Sequence, residues 1–263
     1  MLVFSAISPH PPILIPTIGK ENLERINQTV QAMKKLNEEL IKAKPETILI
    51  ISPHLPLLSD AFSLLFAQNY LGGFEEFGDF STKLEFKADI KCLYQIKENL
   101  ENQFPLVFIN QSKLDHGSLV PLYYLTKNIN NFSIVPLGYS FLDYQTHLNF
   151  GKALKEEIFR TNKRIAVIAS GDLSHRLTPD APGGYSPSGK VFDHKLIELL
   201  KEKDVQGILN LDHQLIEEAG ECGLRSFLIL LGILEEVNYQ PELLSYEGPF
   251  GVGYLVMNFK LGD

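Results

Sequence analysis

The 263-residue chain has no tryptophan, three methionines and two cysteines. Cys92 and Cys222 alone cannot form the disulfide framework of a small secreted domain. Long apolar runs are also missing, and none approaches the roughly 18 residues needed to span a bilayer. No basic leader precedes the short apolar run at residues 2–7, so no signal peptide is expected. Positive charge is scarce, with 24 Lys and Arg against 32 Asp and Glu, a formal net charge of −8. The longest basic cluster is Lys34-Lys35 on an expected helix face, which is too little to attract nucleic acid or an anionic membrane. The expectation is a soluble cytoplasmic protein. What is present, 44% hydrophobic and 21% charged residues, is ordinary for a globular chain long enough to bury a full core.

The pattern of elements predicts an α/β fold. Thr47 to Ile51 reads TILII, β-branched except at Leu49, as a strand buried on both faces of a parallel sheet requires. Leu2 to Ile7 is a second apolar run, and a helix from Lys20 to Ala43 separates the two. Such a β-α-β unit makes its two strands parallel. Further strands are expected at 61–67, 83–86, 106–109, 133–137, 164–169, 243–246 and 254–259, with Gly72-Gly73-Phe74 read as a turn. Helices are expected at 90–101, 143–161, 193–201, 204–209 and 224–234, and the Pro-, Gly- and Ser-rich stretch 177–189 as a loop. No linker interrupts this order, so residues 1–263 read as a single domain. Its core is a mostly parallel or mixed sheet flanked by helices.

Chemistry concentrates at strand ends. Ile-Ser-Pro-His occurs twice, at 7–10 and 51–54, each time closing a strand, and the crevice beyond the carboxyl ends of strands is where open α/β sheets bind ligands. His175 follows the 164–169 strand, and His116 lies in a loop after another. His147, His194 and His213 fall on or beside polar helical stretches and read as surface residues. Four histidines at one edge make a metal or proton-transfer site. A third ligand is expected from elsewhere in the chain. Glu221, at the mouth of the apolar helix 224–234, fits a two-histidine, one-carboxylate Fe(II) site; it fits equally a charge attracted by a helix N-terminus. Cys222 is the rival, with a thiolate suited to zinc or copper.

Nucleotide and serine-nucleophile readings fail. Gly184 to Lys190 matches the phosphate-loop spacing, but Val191 follows where Ser or Thr is required and Pro187 removes an amide. Gly248, Gly251 and Gly253 precede a strand rather than a helix. Ser170 and Ser174 lack a nucleophile-elbow context.

The ordered motifs Ser-Pro-His-Pro-Pro at 8–12, Ile-Ser-Pro-His at 51–54, Asp-His-Gly-Ser-Leu-Val-Pro-Leu at 115–122 and Ser-Gly-Asp-Leu-Ser-His at 170–175 resemble the LigB-type catalytic subunit of class III extradiol ring-cleavage dioxygenases. Glu-Cys-Gly-Leu-Arg at 221–225 and the Gly-Pro-Phe-Gly-Val-Gly-Tyr ending resemble the stand-alone branch related to Memo-like proteins. The resemblance implies Fe(II) held by His10, His54 and Glu221, with zinc or copper as the alternatives and Cys222 as the Memo-like third ligand. It implies His175 as the acid–base residue, His116 at the substrate or oxygen, and Asp115 and Tyr185 at the substrate, Tyr185 on a lid. The implied reaction opens a catechol-like aromatic diol with O2; the alternative is a Memo-like redox or scaffold role without ring cleavage. A homo-oligomer or a partner subunit is implied as well.

Overall fold

Strand β2 (Thr47–Ser52) is buried at every position, and its side chains alternate between two cores. Ile48 and Ile50 face one cluster with Phe4, Ala6, Ala166 and Ile168, while Leu49 and Ile51 face the other with Ile7, Val167 and Ala169. This is the period-2 consequence of a pleated strand covered on both faces. Each fully buried Ile there contributes about 1.5–3 kcal/mol over an exposed one.

The computed structural model describes residues 1–262. Its other strands are β1 (Leu2–Ser8), β3 (Phe62–Leu65), β4 (Asn69–Phe74), β5 (Asp79–Lys87), β6 (Leu106–Ile109), β7 (Ser133–Gly138), β8 (Ile165–Ser170), β9 (Tyr239–Glu247) and β10 (Tyr254–Leu261). The helices are α1 (Pro16–Gly19), α2 (Asn27–Ala43), α3 (Ile90–Leu100), α4 (His116–Leu125), α5 (Tyr144–Arg160), α6 (Pro187–Glu202), α7 (Val205–Leu209), α8 (His213–Ala219) and α9 (Leu224–Ile233). Eight strands form one mixed sheet in the order β6-β3-β7-β2-β8-β1-β10-β9, and β4 pairs with β5 as a separate hairpin. The central β7-β2-β8-β1 block is parallel. Helices α2 and α4 supply Met33, Leu36 and Leu122 to one core; α3, α5 and α9 supply Leu93, Phe150 and Phe227 to the other. The expected mixed α/β sheet with helices on both faces is what forms.

β1 and β2 are parallel as expected, but β8 lies between them and pairs with both. That insertion brings the 170–175 segment between the two Ile-Ser-Pro-His turns. Four local expectations are corrected. The 20–43 helix begins as a 3-10 segment over Lys20–Ile26 before α2. Gly72-Gly73-Phe74 is no turn but the end of β4, because Gly72 lies under α4, where a Cβ would stand 2.4 Å from a Leu119 methyl. The 177–189 loop is cut short at Pro187, which opens α6 behind the Ser186 cap. Helix α8 stands as an element of its own, where the sequence marks only a polar helical stretch at or beside His213. No helix among the described residues is long and apolar enough to cross a membrane.

Candidate metal centre

Three neighbouring strands end at the same edge. β1 runs into His10, β2 into His54, and β8 into Gly171, Asp172 and His175. Pro9 and Pro53 stop the first two strands by removing a ladder donor and restricting the preceding residue. The two rings meet: His10 Nε2 and His54 Nε2 are 3.0 Å apart. Cys222 Sγ lies 3.6 Å from His10 Nε2. The donor atoms of His10, His54 and Cys222 all fall within 4.8 Å of one another.

The surroundings define which His10 nitrogen is a donor. Ser170 Oγ has one proton and gives it to the Gly117 carbonyl at 2.5 Å. Towards His10 Nδ1, 2.9 Å away, it therefore accepts. His10 carries its proton on Nδ1 and turns an Nε2 lone pair towards His54 and Cys222. This is the supporting bond that orients a metal-binding imidazole.

Asp172 completes the wall. Its Oδ1 accepts the His10 N–H at 3.0 Å, and its Oδ2 is 3.8 Å from His10 Nε2. Its own N–H donates to Cys222 Sγ at 3.3 Å, and the Cys222 N–H donates back to the Asp172 carbonyl at 3.3 Å. The two segments touch through glycines: a Cβ on Gly171 would stand 2.2 Å from Gly223 Cα. Only a chain without side chains at that contact lets Cys222 reach His10.

Electrostatically the cluster disfavours free charge. Burial, then His54, His116 and His175, holds His10 well below its usual range. His54 is exposed at the edge of the cluster, and desolvation by its neighbours, with His116 and His175, brings it down to about 4. Burial raises the Asp172 carboxyl to about 6 and drives the Cys222 thiol well upward. His10 Nε2 and His54 Nε2, 3.0 Å apart and both on neutral rings, beside a sulfur, are a donor set that fits a cation once His54 carries its proton on Nδ1.

His116 and His175 flank the donors. His116 is the first residue of α4 rather than a loop residue. Asp115 caps that helix, its Oδ1 accepting the Ser118 N–H and its Oδ2 the Ser52 hydroxyl, each at 2.6 Å. Both Asp115 oxygens thus tie the start of α4 to the end of β2. The His116 ring stacks on His54 with centroids 4.4 Å apart, and Phe77 stands edge-on to it at 5.2 Å. Beside them His54, Phe77, Asp115 and His116 border a cavity of about 270 Å³. His175 Nδ1 donates to the Gly220 carbonyl at 2.5 Å, which leaves Nε2 free.

Glu221 lies outside this group of donors. Its Oε2 accepts the Leu224 N–H at 2.6 Å, drawn by the unsatisfied amides at the start of α9. Cys222, one residue on, turns the opposite way and is the third donor. Tyr185 is 62% exposed. His194 and His213 are exposed as expected, but His147 is fully buried: it faces Phe62 and Tyr139 from α5 and bonds the Asp143 and Ser140 backbone. Asp172 and the supporting role of Ser170 were missed in the sequence. Their signal was available, since both lie in the 170–175 motif immediately after the strongest remaining strand.

The sequence matches the family described as the catalytic LigB subunit of aromatic ring-opening dioxygenase over residues 5–257. The chain belongs to the LigB family. A relative in Clostridium acetobutylicum, protein CA_C1420, is 35% identical over 96% of this chain. The chain spans 56% of that relative's length. The 2-aminophenol 1,6-dioxygenase beta subunit of a Pseudomonas species is 22% identical over 99% of this chain and 94% of its own. A MEMO1 family protein of Methanocaldococcus jannaschii, MJ0403, is 33% identical over 34% of this chain and 33% of its own. Among solved structures, an uncharacterized Escherichia coli K12 protein, JW3007, superposes with a TM-score of 0.70 at 15% identity, covering 99% of this chain and 100% of the other. That likeness concerns the fold. Ring-opening dioxygenases and MEMO1 proteins are thus both among the relatives of this LigB chain.

Proposed function

We propose that this chain is a metal-dependent, extradiol-type dioxygenase acting on a small aromatic diol with O2. The observation that supports it is the convergence of His10, His54 and Cys222 on one point, with His116 and His175 beside them, in a LigB chain. Two imidazoles and a thiol fit a divalent transition metal, Fe(II) in this reading. Such an ion would be held by His10, His54 and Cys222 and would supply the Lewis acidity that lowers the pKa of a diol hydroxyl. The chain's own residues do the rest. Ser170 keeps the His10 donor aimed, and Asp172 fixes the backbone of both His10 and Cys222. His175 is held by the Gly220 carbonyl, two residues from Cys222. With Nδ1–H anchored on Gly220, its Nε2 takes a proton from the diol hydroxyl and returns it to the opening ring. His116 and Phe77 border the adjoining cavity, and the partly exposed Phe77 ring is a contact for an aromatic substrate. The 177–189 segment, carrying Tyr185, belongs to this reading as the lid.

One observation favours a second reading. Sulfur stands where the two-histidine Fe(II) sites have a carboxylate, and thiolate selects zinc or copper over iron. A Memo-like metal-binding redox or scaffold protein without ring cleavage would have this donor set. The 2-aminophenol relative is named as a beta subunit, so a partner subunit or a homo-oligomer fits either reading.

Anaerobic reconstitution with Fe(II), Zn(II) and copper, followed by metal analysis and oxygen uptake over a panel of catechols, tests both. Retained iron, oxygen consumption and a yellow ring-opened product support the dioxygenase. Tight zinc or copper binding with no oxygen uptake across the panel overturns ring cleavage and leaves the Memo-like reading.

A further inference from the structure

A second cavity, of about 470 Å³, is bordered by Phe141, Tyr144, Gly220, Glu221 and Arg225 among others. It shares a wall with the donors. The Gly220 carbonyl holds His175 Nδ1, and the Tyr139 hydroxyl donates to the Cys222 carbonyl at 3.3 Å.

Arg225, the second residue of α9, is the feature that needs explaining. Its guanidinium carbon lies 4.8 Å from the Tyr144 ring centroid, 5.8 Å from Phe141 and 6.0 Å from Tyr139. Its Nε is buried with no hydrogen-bond partner, and Arg225 joins no ion pair among the described residues. A buried guanidinium N–H without an acceptor is costly, and proteins keep few of them. No nearby carboxylate forms an ion pair with Arg225: Glu221 gives Oε2 to the Leu224 N–H and acts on Arg225 through its charge alone, Asp143 takes both the N–H and the hydroxyl of Thr146, and Glu217 is exposed to solvent. The three rings hold a planar, weakly hydrated cation in place with the Tyr144 hydroxyl beside it, and its Nε–H is left without an acceptor.

We propose that this cavity binds an aromatic carboxylate, its carboxylate accepting from the Arg225 guanidinium and its ring lying against Tyr144 and Phe141. The planar fork of arginine matches a carboxylate through two parallel bonds, and the surrounding rings exclude the water that would weaken them. The site stands on this cavity and does not depend on ring cleavage: a diol-cleaving enzyme and a non-cleaving metal protein would both present it. It places anionic aromatic molecules, rather than neutral or cationic ones, at the edge of the centre.

Isothermal titration of the purified full chain with benzoate, benzamide and benzylamine, before and after treatment with a chelator, tests it. Benzoate binds in both states, and benzamide and benzylamine bind at least about tenfold more weakly. Arg225→Gln weakens benzoate at least about tenfold and leaves benzamide unchanged, while Arg225→Lys, which keeps the charge without the fork, falls between. Phe141→Ala, at a side chain 57% exposed, removes one ring without touching the core and weakens benzoate severalfold. Absent benzoate binding, a preference for benzylamine, binding that disappears on chelation, or unaltered binding by Arg225→Gln would each overturn the site. None of those results bears on oxygen uptake with diols, so this inference and the dioxygenase reading fail separately.

Discussion

Ser170 Oγ lies 2.9 Å from His10 Nδ1 and spends its only proton on the Gly117 carbonyl, so a strand-end hydroxyl sets the tautomer of a residue 160 positions earlier in the chain. Ser170→Ala removes that acceptor and leaves the His10 Nδ1–H buried without a partner. Lost supporting bonds of this kind cost about 10–100-fold in metal affinity. The expected result is that Ser170→Ala binds metal that much more weakly, with the fold retained, while His10→Ala binds none. A competitive chelator titration measures both, and wild-type affinity in Ser170→Ala would remove the tautomer argument.

The two adjacent candidates for third ligand separate by substitution. Cys222→Ala abolishes tight metal binding. Glu221→Ala retains it and loses about 1 kcal/mol of stability, since that carboxylate satisfies an amide at the start of α9. Cys222→Asp, which makes the set two histidines and one carboxylate, raises the affinity for Fe(II) relative to zinc and copper. Metal analysis of the three variants after dialysis against mixed metals decides it. Loss of metal in Glu221→Ala with retention in Cys222→Ala is the contrary outcome.

What could be read from the sequence was whatever depends on local pattern. The β-branched run of β2, the two Ile-Ser-Pro-His turns and the β8 strand imply parallel strands ending together, and the edge they form holds His10, His54 and His175. Which of Glu221 and Cys222 turns inward was not legible, because neighbouring residues on a turn point different ways. The choice depends on a contact between segments 50 residues apart, Asp172 N–H to Cys222 Sγ. Glycine misled for a related reason: Gly72 looks like a turn residue but is small because α4 crosses above it. His147 misled through its polar neighbours, which face solvent while its own ring faces the core. Arg225 was visible only as part of a motif; the rings of Tyr139, Phe141 and Tyr144 that surround it come from a loop and a helix start that periodicity does not bring together.

Gly171 and Gly223 carry that segment contact. Gly171→Ala forces a methyl group into the space occupied by Gly223 Cα, backbone that cannot rotate away. Overpacking of this kind costs about 1–3 kcal/mol. The displaced backbone is the one that carries Cys222, so metal binding falls in parallel with stability. Thermal melts and metal titration are expected to move together in Gly171→Ala. A destabilised variant with full metal affinity would show that the glycine contact serves packing alone.

His147 gives the fold a pH dependence that can be isolated from the centre. The ring is buried; Nδ1–H donates to the Asp143 carbonyl at 2.8 Å and Nε2 accepts the Ser140 N–H at 3.4 Å, and although the Ser140 carbonyl 3.1 Å from Nε2 would favour a protonated ring, burial outweighs it. Burial brings its pKa down to about 4 from an ordinary 6.5. The unfolded chain therefore takes up a proton first as pH falls. The stability tied to the neutral ring is fully present above 6.5 and is lost progressively down to about 4, at most about 3 kcal/mol. His10, His54 and His116 contribute with the same sign, since their pKa values are lowered too. They are common to wild type and variant, so the difference between the two proteins reports His147. In His147→Gln, whose amide does not titrate, the melting temperature is expected to fall less between pH 6.5 and 4 than in wild type, although the variant is less stable at neutral pH. Parallel melting curves across that window would mean that the ring is solvated and titrates normally, against its burial.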